Sequence, residues 1–400
     1  MKELQTIKEM EKDNSRRAFL QKTALAGAGL LLADHMAFAS NLLSKPNPTP
    51  PFRVRSKGYA ARDSSGNLGV YEFERQPVGD NDILIEIKFS GVCHSDIHTV
   101  KGEWGDQKYP LVPGHEIAGI VTAVGKNVKK FKVGDHAGVG CMVDSCGSCK
   151  SCKDGLQQYC EKGTTMTYGT KSEKYPTGVT QGGYANNLVV TESFAIKIPK
   201  NMSLQDAAPL LCAGVTTYSP LMKADVGKGM KVGVAGIGGL GHLAIKIAVS
   251  KGAEVYAFTT TNDKVDDIKK FGAKEVIVVD DLSKLDAHKG TLDYMISTIP
   301  VSYDLSAYIA LVKPNGNYTQ VGLPAGNISF NNFAFISSRV NFNGSLIGGI
   351  PETQEILDYC AQNKIYPEIQ IVDIKDINDV YDKVLQKKAR YRYVIDAKTI

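Results

Sequence analysis

Cys146, Cys149, Cys152 and Cys160 fall within one fifteen-residue stretch, CGSCKSCKDGLQQYC, with two, two and seven residues between them. Thiolates spaced so closely can wrap a single tetrahedral ion with bonds of about 2.3 Å to each sulfur. The competing chemistry is oxidation to disulfides. Each bridge, however, needs Cβ vectors that face one another across a set gap, and two bridges in so short a loop would be strained. The spacing therefore predicts a structural zinc site closed by four cysteines.

A second set of ligand types is spread through the chain. GVCHSDIH supplies Cys93, His94, Ser95, Asp96 and His98; PGHEIAG supplies His115 and Glu116; PLLCAG supplies Cys212. Taken singly, Cys212 in an apolar run reads as packing, and His115 as a hydrogen-bonded core residue. Together, two thiolates and one imidazole make three protein ligands and leave one tetrahedral position open, which a catalytic zinc requires. Cys141 and Cys360 have no evident partner and read as buried apolar thiols.

GIGGLG, from Gly236 through Gly238 and Gly239 to Gly241, follows the apolar run KVGVA and opens a stretch with helical periodicity. Glycines there keep the turn tight and let the backbone approach a pyrophosphate, whose charge is favoured by the free amides at the helix start. An NAD site would carry an acidic residue at the end of the next strand. This chain has FTTTNDK instead. Thr259, Thr260 and Thr261 offer hydroxyls without negative charge, and Lys264 is a candidate partner for a 2′-phosphate. The expected cofactor is NADP(H).

These groups need elements to hold them. Short apolar strands such as ILIEIKF (83–89) and IAGIVTAVG (117–125), punctuated by Gly and Pro, imply a strand-rich, partly antiparallel domain. Beyond Cys212 the rhythm changes to KVGVAG, a helix from about Gly239 to Lys251, EVYAFT, a charged helix, EVIVV, LDYMIS and GNYTQVG. Strands alternating with helices imply right-handed crossovers and a parallel sheet covered on both faces. The fold class is thus α/β, a strand-rich domain plus a doubly wound one. The last sixty residues return to mixed strand and helix and are expected to complete the first domain, so that the nucleotide domain is an insertion within it.

The amino terminus carries a different message. SRRAFLQK sets Arg16 and Arg17 ahead of Phe19 and Leu20, an apolar stretch follows from Ala24 to Ala33, and AFA precedes Ser40. Residues 1–39 read as a signal peptide of the twin-arginine type, with an apolar run too short to span a bilayer comfortably. Export would favour oxidised thiols. The twin-arginine route is associated with cargo folded before crossing, so metal can load while the cysteines are still reduced. The expected localisation is periplasmic or otherwise exported, with the cytoplasm as the alternative. KPNPTPP (45–51) reads as an extended linker.

With 43% hydrophobic and 22% charged residues the composition is that of a globular protein, not a disordered or fibrous one. The net charge of +5, from 47 basic and 42 acidic residues, is scattered without a basic block, which argues against nucleic acid as a partner.

Cys93, GHE at 114–116, the four-cysteine lobe and GIGGLG occur in the order found in zinc-dependent medium-chain alcohol dehydrogenases, which the chain resembles over nearly all of its length after the leader. The threonine run, APLLCAG and GSLIGGIPETQE (344–355) are most similar to the cinnamyl alcohol dehydrogenase branch, particularly its bacterial broad-specificity NADPH-dependent aldehyde reductases. The resemblance implies a GroES-like catalytic domain (40–212, with a zinc lobe at 141–162, and 341–400) around a Rossmann domain (213–340). It implies two zinc ions per chain, a catalytic one on Cys93, His115 and Cys212 and a structural one on the four-cysteine lobe. It also gives Ser95 a hydrogen bond to the substrate oxygen and His98 a proton-transfer role. Asp96 would fix the His115 tautomer, and Glu116 would sit behind the ion. His94 and Arg392 would meet the pyrophosphate and Thr216 the nicotinamide.

Trp104, the only tryptophan, lies eleven residues past Cys93, where relatives place an apolar residue in the substrate pocket; packing is the other reading. Family members form dimers or tetramers through the nucleotide domain, so a homodimer or homotetramer is expected. The function implied is an NADP(H)-dependent alcohol dehydrogenase acting mainly as an aldehyde reductase. The alternative is a zinc- and nucleotide-binding sensor or scaffold without chemistry.

Overall fold

Two sheets organise the molecule. The structure, a computed structural model, describes residues 53–400 apart from 325. The expected signal peptide and the proline-rich linker lie outside the described residues.

The first sheet is mixed and seven-stranded. Its order is Ile369–Val372, Arg392–Asp396, Asp82–Gly91, Ile117–Val124, His136–Val139 and Ile196–Lys197, with Asn187–Thr191 also paired to Asp82–Gly91. Period-two alternation places Ile83, Ile85 and Ile87 in the core while Glu86 stays exposed. Strand Arg392–Asp396 runs antiparallel to the end of that same strand, with Val394 opposite Gly91. The last residues of the chain therefore close a sheet begun at Asp82, and they bring Arg392 beside the segment that leads to Cys93.

The second sheet has six parallel strands in the order Glu275–Val278, Glu254–Thr259, Lys231–Ala235, Leu292–Ser297, Val312–Gln320 and Asn341–Gly344. The first of these in sequence lies in the middle, the doubly wound arrangement whose ligand crevice opens where strand order reverses. The sixth strand lies beyond residue 340, where the sequence reading ended this domain, and all four of its residues are exposed. Helix Gly241–Ser250 covers the sheet with Leu243, Ala244, Ile245 and Ile247. It begins two residues later than the pattern suggested, because Gly238 to Leu240 form the turn.

One apolar cluster joins both sheets. Val232, Leu243 and Ile245 of the nucleotide part pack in it with Leu211, Tyr218 and Ile356, which belong to the segment holding Cys212, helix Val215–Lys223 and helix Ile350–Asn363. Close-packed contact of this kind transmits position rather than allowing play. No helix among the described residues is long and apolar enough to cross a membrane.

Candidate functional site

Cys93 is the N-cap of the short helix His94–Val100, in extended conformation, and its backbone N–H donates to Asp96 Oδ2 at 2.9 Å. Asp96 is fully buried. Its carboxylate also accepts from Gly114 N at 3.1 Å, His115 Nδ1 at 2.9 Å and the Tyr184 hydroxyl at 3.0 Å. A buried carboxylate without such donors would cost several kcal/mol. Because an ionised carboxylate can only accept, Nδ1 of His115 carries a proton, which leaves Nε2 as the ring atom a metal would take.

That nitrogen faces Cys212, 3.1 Å from its Sγ. Cys212 sits in a π-helical turn, Leu210–Gly214, between helices Leu204–Pro209 and Val215–Lys223. Such local widenings of a helix recur at functional sites. One ligand atom from each of Cys93, His115, Glu116 and Cys212 lies within 4.8 Å of all the others, and all four residues are buried. Two thiols, an imidazole and a carboxylate oxygen are the donor types zinc takes, so the residues present fit the ion.

The electrostatics favour a thiolate at Cys93 and oppose one at Cys212, whose thiol contacts with Cys141 and Cys93, together with burial, raise it well above its ordinary range. Hydrogen bonding to Cys212, with His115 and Arg392 nearby, holds the Cys93 thiol well below its ordinary range although burial opposes this. Burial pushes His115 down, but the Asp96 charge and neighbouring Cys141 outweigh it and raise the imidazole well above its usual value. Glu116 is pushed up to about 7 by burial, against the pull of the Arg392 guanidinium. Oε1 of Glu116 pairs with Arg392, whereas Oε2 is buried without a partner among the described residues.

The remaining residues named from the sequence fall around this cluster. Ser95 Oγ lies 3.6 Å from Cys93 Sγ. The His98 ring stacks between His94, at 5.8 Å, and Trp104, at 5.1 Å, and its Nδ1 bonds Glu103. Trp104 is 41% exposed, so it covers His98 and is not a core residue. Thr216 is buried with an unpartnered hydroxyl. Cys141, read as a buried apolar thiol, is buried in an apolar cluster that also contains Cys93 and Cys212, and the neighbouring Cys212 thiol lowers its own from the usual range.

All eight cysteines are free. In the lobe, Cys146 Sγ is 3.9 Å from Cys152 Sγ, and the four sulfurs of Cys146, Cys149, Cys152 and Cys160 all lie within 4.8 Å of one another. A tetrahedral ion bonded at about 2.3 Å spaces its sulfurs about 3.8 Å apart. Backbone N–H groups of Ser148 and Cys149 pull the Cys146 thiol down to about 6, which favours the thiolate a metal needs.

At the dinucleotide loop, Gly236 has φ +82°, a conformation side chains avoid. A Cβ on Gly239 would lie 2.6 Å from Arg392 Cδ, so glycine lets the loop approach this guanidinium. Arg392 is 5% exposed and its Nε has no partner among the described residues. Gly238 faces open space. His242, missed by sequence reading, ties the loop down: its ring contacts Gly238 O at 3.2 Å and accepts from Glu368 N at 3.2 Å. Thr260 and Thr261 are exposed at the end of the second parallel strand, while Lys264 is buried, its Nζ donating to Ile237 O at 3.1 Å. Lys264 thus reaches the glycine loop rather than standing free at the threonines.

A strap unread in the sequence supports the His115 loop. Gly182 N donates to Val112 O at 2.7 Å, Gly183 N to Gly114 O at 2.9 Å, and Tyr184 N to Pro113 O at 3.0 Å. Buried Arg75 clamps the strap from behind through Gln181 O and Gly182 O, at 2.7 and 2.8 Å.

The family model for the alcohol dehydrogenase GroES-like domain matches residues 79–200, and that for zinc-binding dehydrogenases matches 239–362. The chain is 46% identical over 343 residues to NADP-dependent alcohol dehydrogenase C 1 of Mycolicibacterium smegmatis, covering 86% of this chain and 98% of the relative. The structure of a cinnamyl alcohol dehydrogenase from Helicobacter pylori complexed with NADP(H) superposes with a TM-score of 0.82 at 46% identity, over 87% of this chain and 99% of that one. A cinnamyl alcohol dehydrogenase from Sorghum bicolor gives a TM-score of 0.84 at 37% identity, over 86% and 98%.

Proposed function

The chain belongs to the zinc-type medium-chain alcohol dehydrogenase family, and from that premise we propose that it transfers hydride between NADP(H) and an alcohol/aldehyde pair, working mainly as a broad-specificity aldehyde reductase. The observation that carries this reading is the convergence of Cys93, His115 and Cys212 on one buried point, with ligand atoms within 4.8 Å. When bound, the zinc supplies Lewis acidity at the substrate oxygen and the nicotinamide exchanges the hydride.

The chain's own residues do the rest. Cys93, His115 and Cys212 hold the catalytic ion, Asp96 fixes the His115 tautomer, and Glu116 backs the site while bonded to Arg392. Ser95 bonds the substrate oxygen, and His98 passes the proton outward beneath Trp104, which bounds the substrate pocket. Gly236, Gly238, Gly239 and Gly241 make room for the pyrophosphate beside Arg392 and His94, and Thr216 offers its free hydroxyl to the nicotinamide. Thr259, Thr260 and Thr261 favour a 2′-phosphate over a bare ribose, while Lys264, expected beside them, holds the Ile237 carbonyl of the glycine loop. Cys146, Cys149, Cys152 and Cys160 hold the second ion.

Two wider features belong to the same proposal. The exposed edge strand Asn341–Gly344, with Phe342 on it and Phe333 and Ile336 beside it at 42, 68 and 74% exposure, supports self-association through the nucleotide domain as a dimer or tetramer. The Arg16 and Arg17 motif supports export by the twin-arginine machinery. Fractionation of cells carrying the arginine pair or two lysines in its place tests the second.

The activity is tested by adding benzaldehyde to the zinc-loaded protein with NADPH and following nicotinamide absorbance. Loss of absorbance is expected. No turnover across a panel of aldehydes would favour the sensor or scaffold reading, against which the presence of Cys93, Ser95, His98, His115 and Cys212 together argues.

A further inference from the structure

The turn that follows the threonines holds a charge of the wrong sign. Asp263 lies two residues past Thr261, in the single helical turn Asn262–Lys264, and a carboxylate there repels any phosphate placed on the threonine hydroxyls. Its partner comes from far along the chain. Arg390 reaches over from the segment before the last strand of the first sheet, pairing through Nη2 with the Asp263 carboxylate and lying 3.5 Å from the Asp263 carbonyl oxygen. Its Nε is 3.9 Å from Asp267 Oδ2, and its Nη1 is buried without a hydrogen-bond partner among the described residues. Lys264 is committed elsewhere, to the Ile237 carbonyl and the face of Tyr391 at 5.7 Å.

We propose that Arg390 is a determinant of NADP(H) selectivity, contributed by the catalytic domain: by pairing with Asp263 it neutralises the carboxylate that would otherwise repel a 2′-phosphate at the threonines. This rests on the NADP(H) reading above. In this arrangement cofactor choice is written across both domains, because the threonines belong to the nucleotide sheet and the guanidinium to the segment that closes the first sheet. A 2′-phosphate at the threonines would otherwise face the Asp263 charge, a repulsion that NADH, which lacks this phosphate, does not feel.

Fluorescence titration of the zinc-loaded protein with NADPH and with NADH provides the test. Arg390→Gln is expected to raise the NADPH dissociation constant about tenfold, and that for NADH less than about twofold. Arg390→Lys should keep part of the preference, and Asp263→Asn in the Arg390→Gln background should recover part of the lost NADPH affinity. Equal loss for both cofactors would make Arg390 a mere brace for the turn and overturn the proposal, as would no loss for either. A wild-type chain without preference for NADPH would overturn the cofactor reading itself. A selective wild type in which Arg390→Gln weakens both cofactors equally, or neither, overturns only the assignment of Arg390.

Discussion

Asp96 Oδ1 lies 2.9 Å from Nδ1 of His115, and the same carboxylate collects backbone donors from Cys93 and Gly114 and the hydroxyl of Tyr184. One buried side chain thereby sets the position of two of the proposed ligands and the protonated nitrogen of one. Asp96→Asn keeps the shape but loses the charge and lets the imidazole turn. Zinc affinity at this centre should fall about 10- to 100-fold, measured by competition with a chromogenic chelator. Tyr184→Phe should cost less, since three donors remain. Unchanged affinity in Asp96→Asn would refute the positioning role.

The four-cysteine lobe makes a separate prediction. Cys149→Ser removes one thiolate from a closed set, so metal content should drop from about two ions per chain to about one. The thermal midpoint should fall with it, because binding energy at a structural site is folding energy. Metal analysis of purified variant and parent decides this; two retained ions would contradict the assignment.

His98 is stacked under Trp104 and bonded to Glu103 at the mouth of the site. If it passes the proton outward, His98→Ala should lower kcat by about 100-fold at neutral pH, the lower end of what a positioned acid or base contributes. Zinc content and NADPH binding should be unchanged. A variant with the parent's kcat would assign the proton path to another group.

His242 predicts a pH effect on stability. Burial lowers this imidazole to about 3 in the folded chain, against about 6.5 when unfolded. Its folded value is depressed, so the unfolded state binds a proton that the native state refuses. Stability from this residue is fully present above about pH 6.5 and is lost as pH falls toward 3, with a loss of roughly 2 kcal/mol by pH 5. Denaturant unfolding at pH 7 and 5 should therefore show a smaller pH difference for His242→Gln than for the parent. Equal pH slopes in the two proteins would show that His242 is not the titrating group.

Much of the site was legible because its signals are local. The lobe needs only one loop to wrap an ion, so four cysteines in fifteen positions suffice. GIGGLG between an apolar strand and an apolar helix stands out for the same reason, as does the alternation of Ile83, Ile85 and Ile87. Other features were invisible. Cys141 looked unconnected to the site because Cys212, which shares its buried cluster, lies seventy-one residues on. Lys264 looked like a free cation because the Ile237 carbonyl that engages it belongs to a different turn.

The sequence by itself determined which donors exist, their grouping in short motifs, and the order of strands and helices, since these depend on neighbours a few residues apart. Only the tertiary structure decided which nitrogen of His115 faces Cys212, that Arg392 pairs with Glu116 across 276 positions, and that Arg390 meets Asp263 across 127. Those pairings follow from strand register and from the packing between two sheets. A one-residue shift in the pairing of Arg392–Asp396 with Asp82–Gly91 would point Arg392 away from Glu116 while leaving every local pattern in the sequence unchanged.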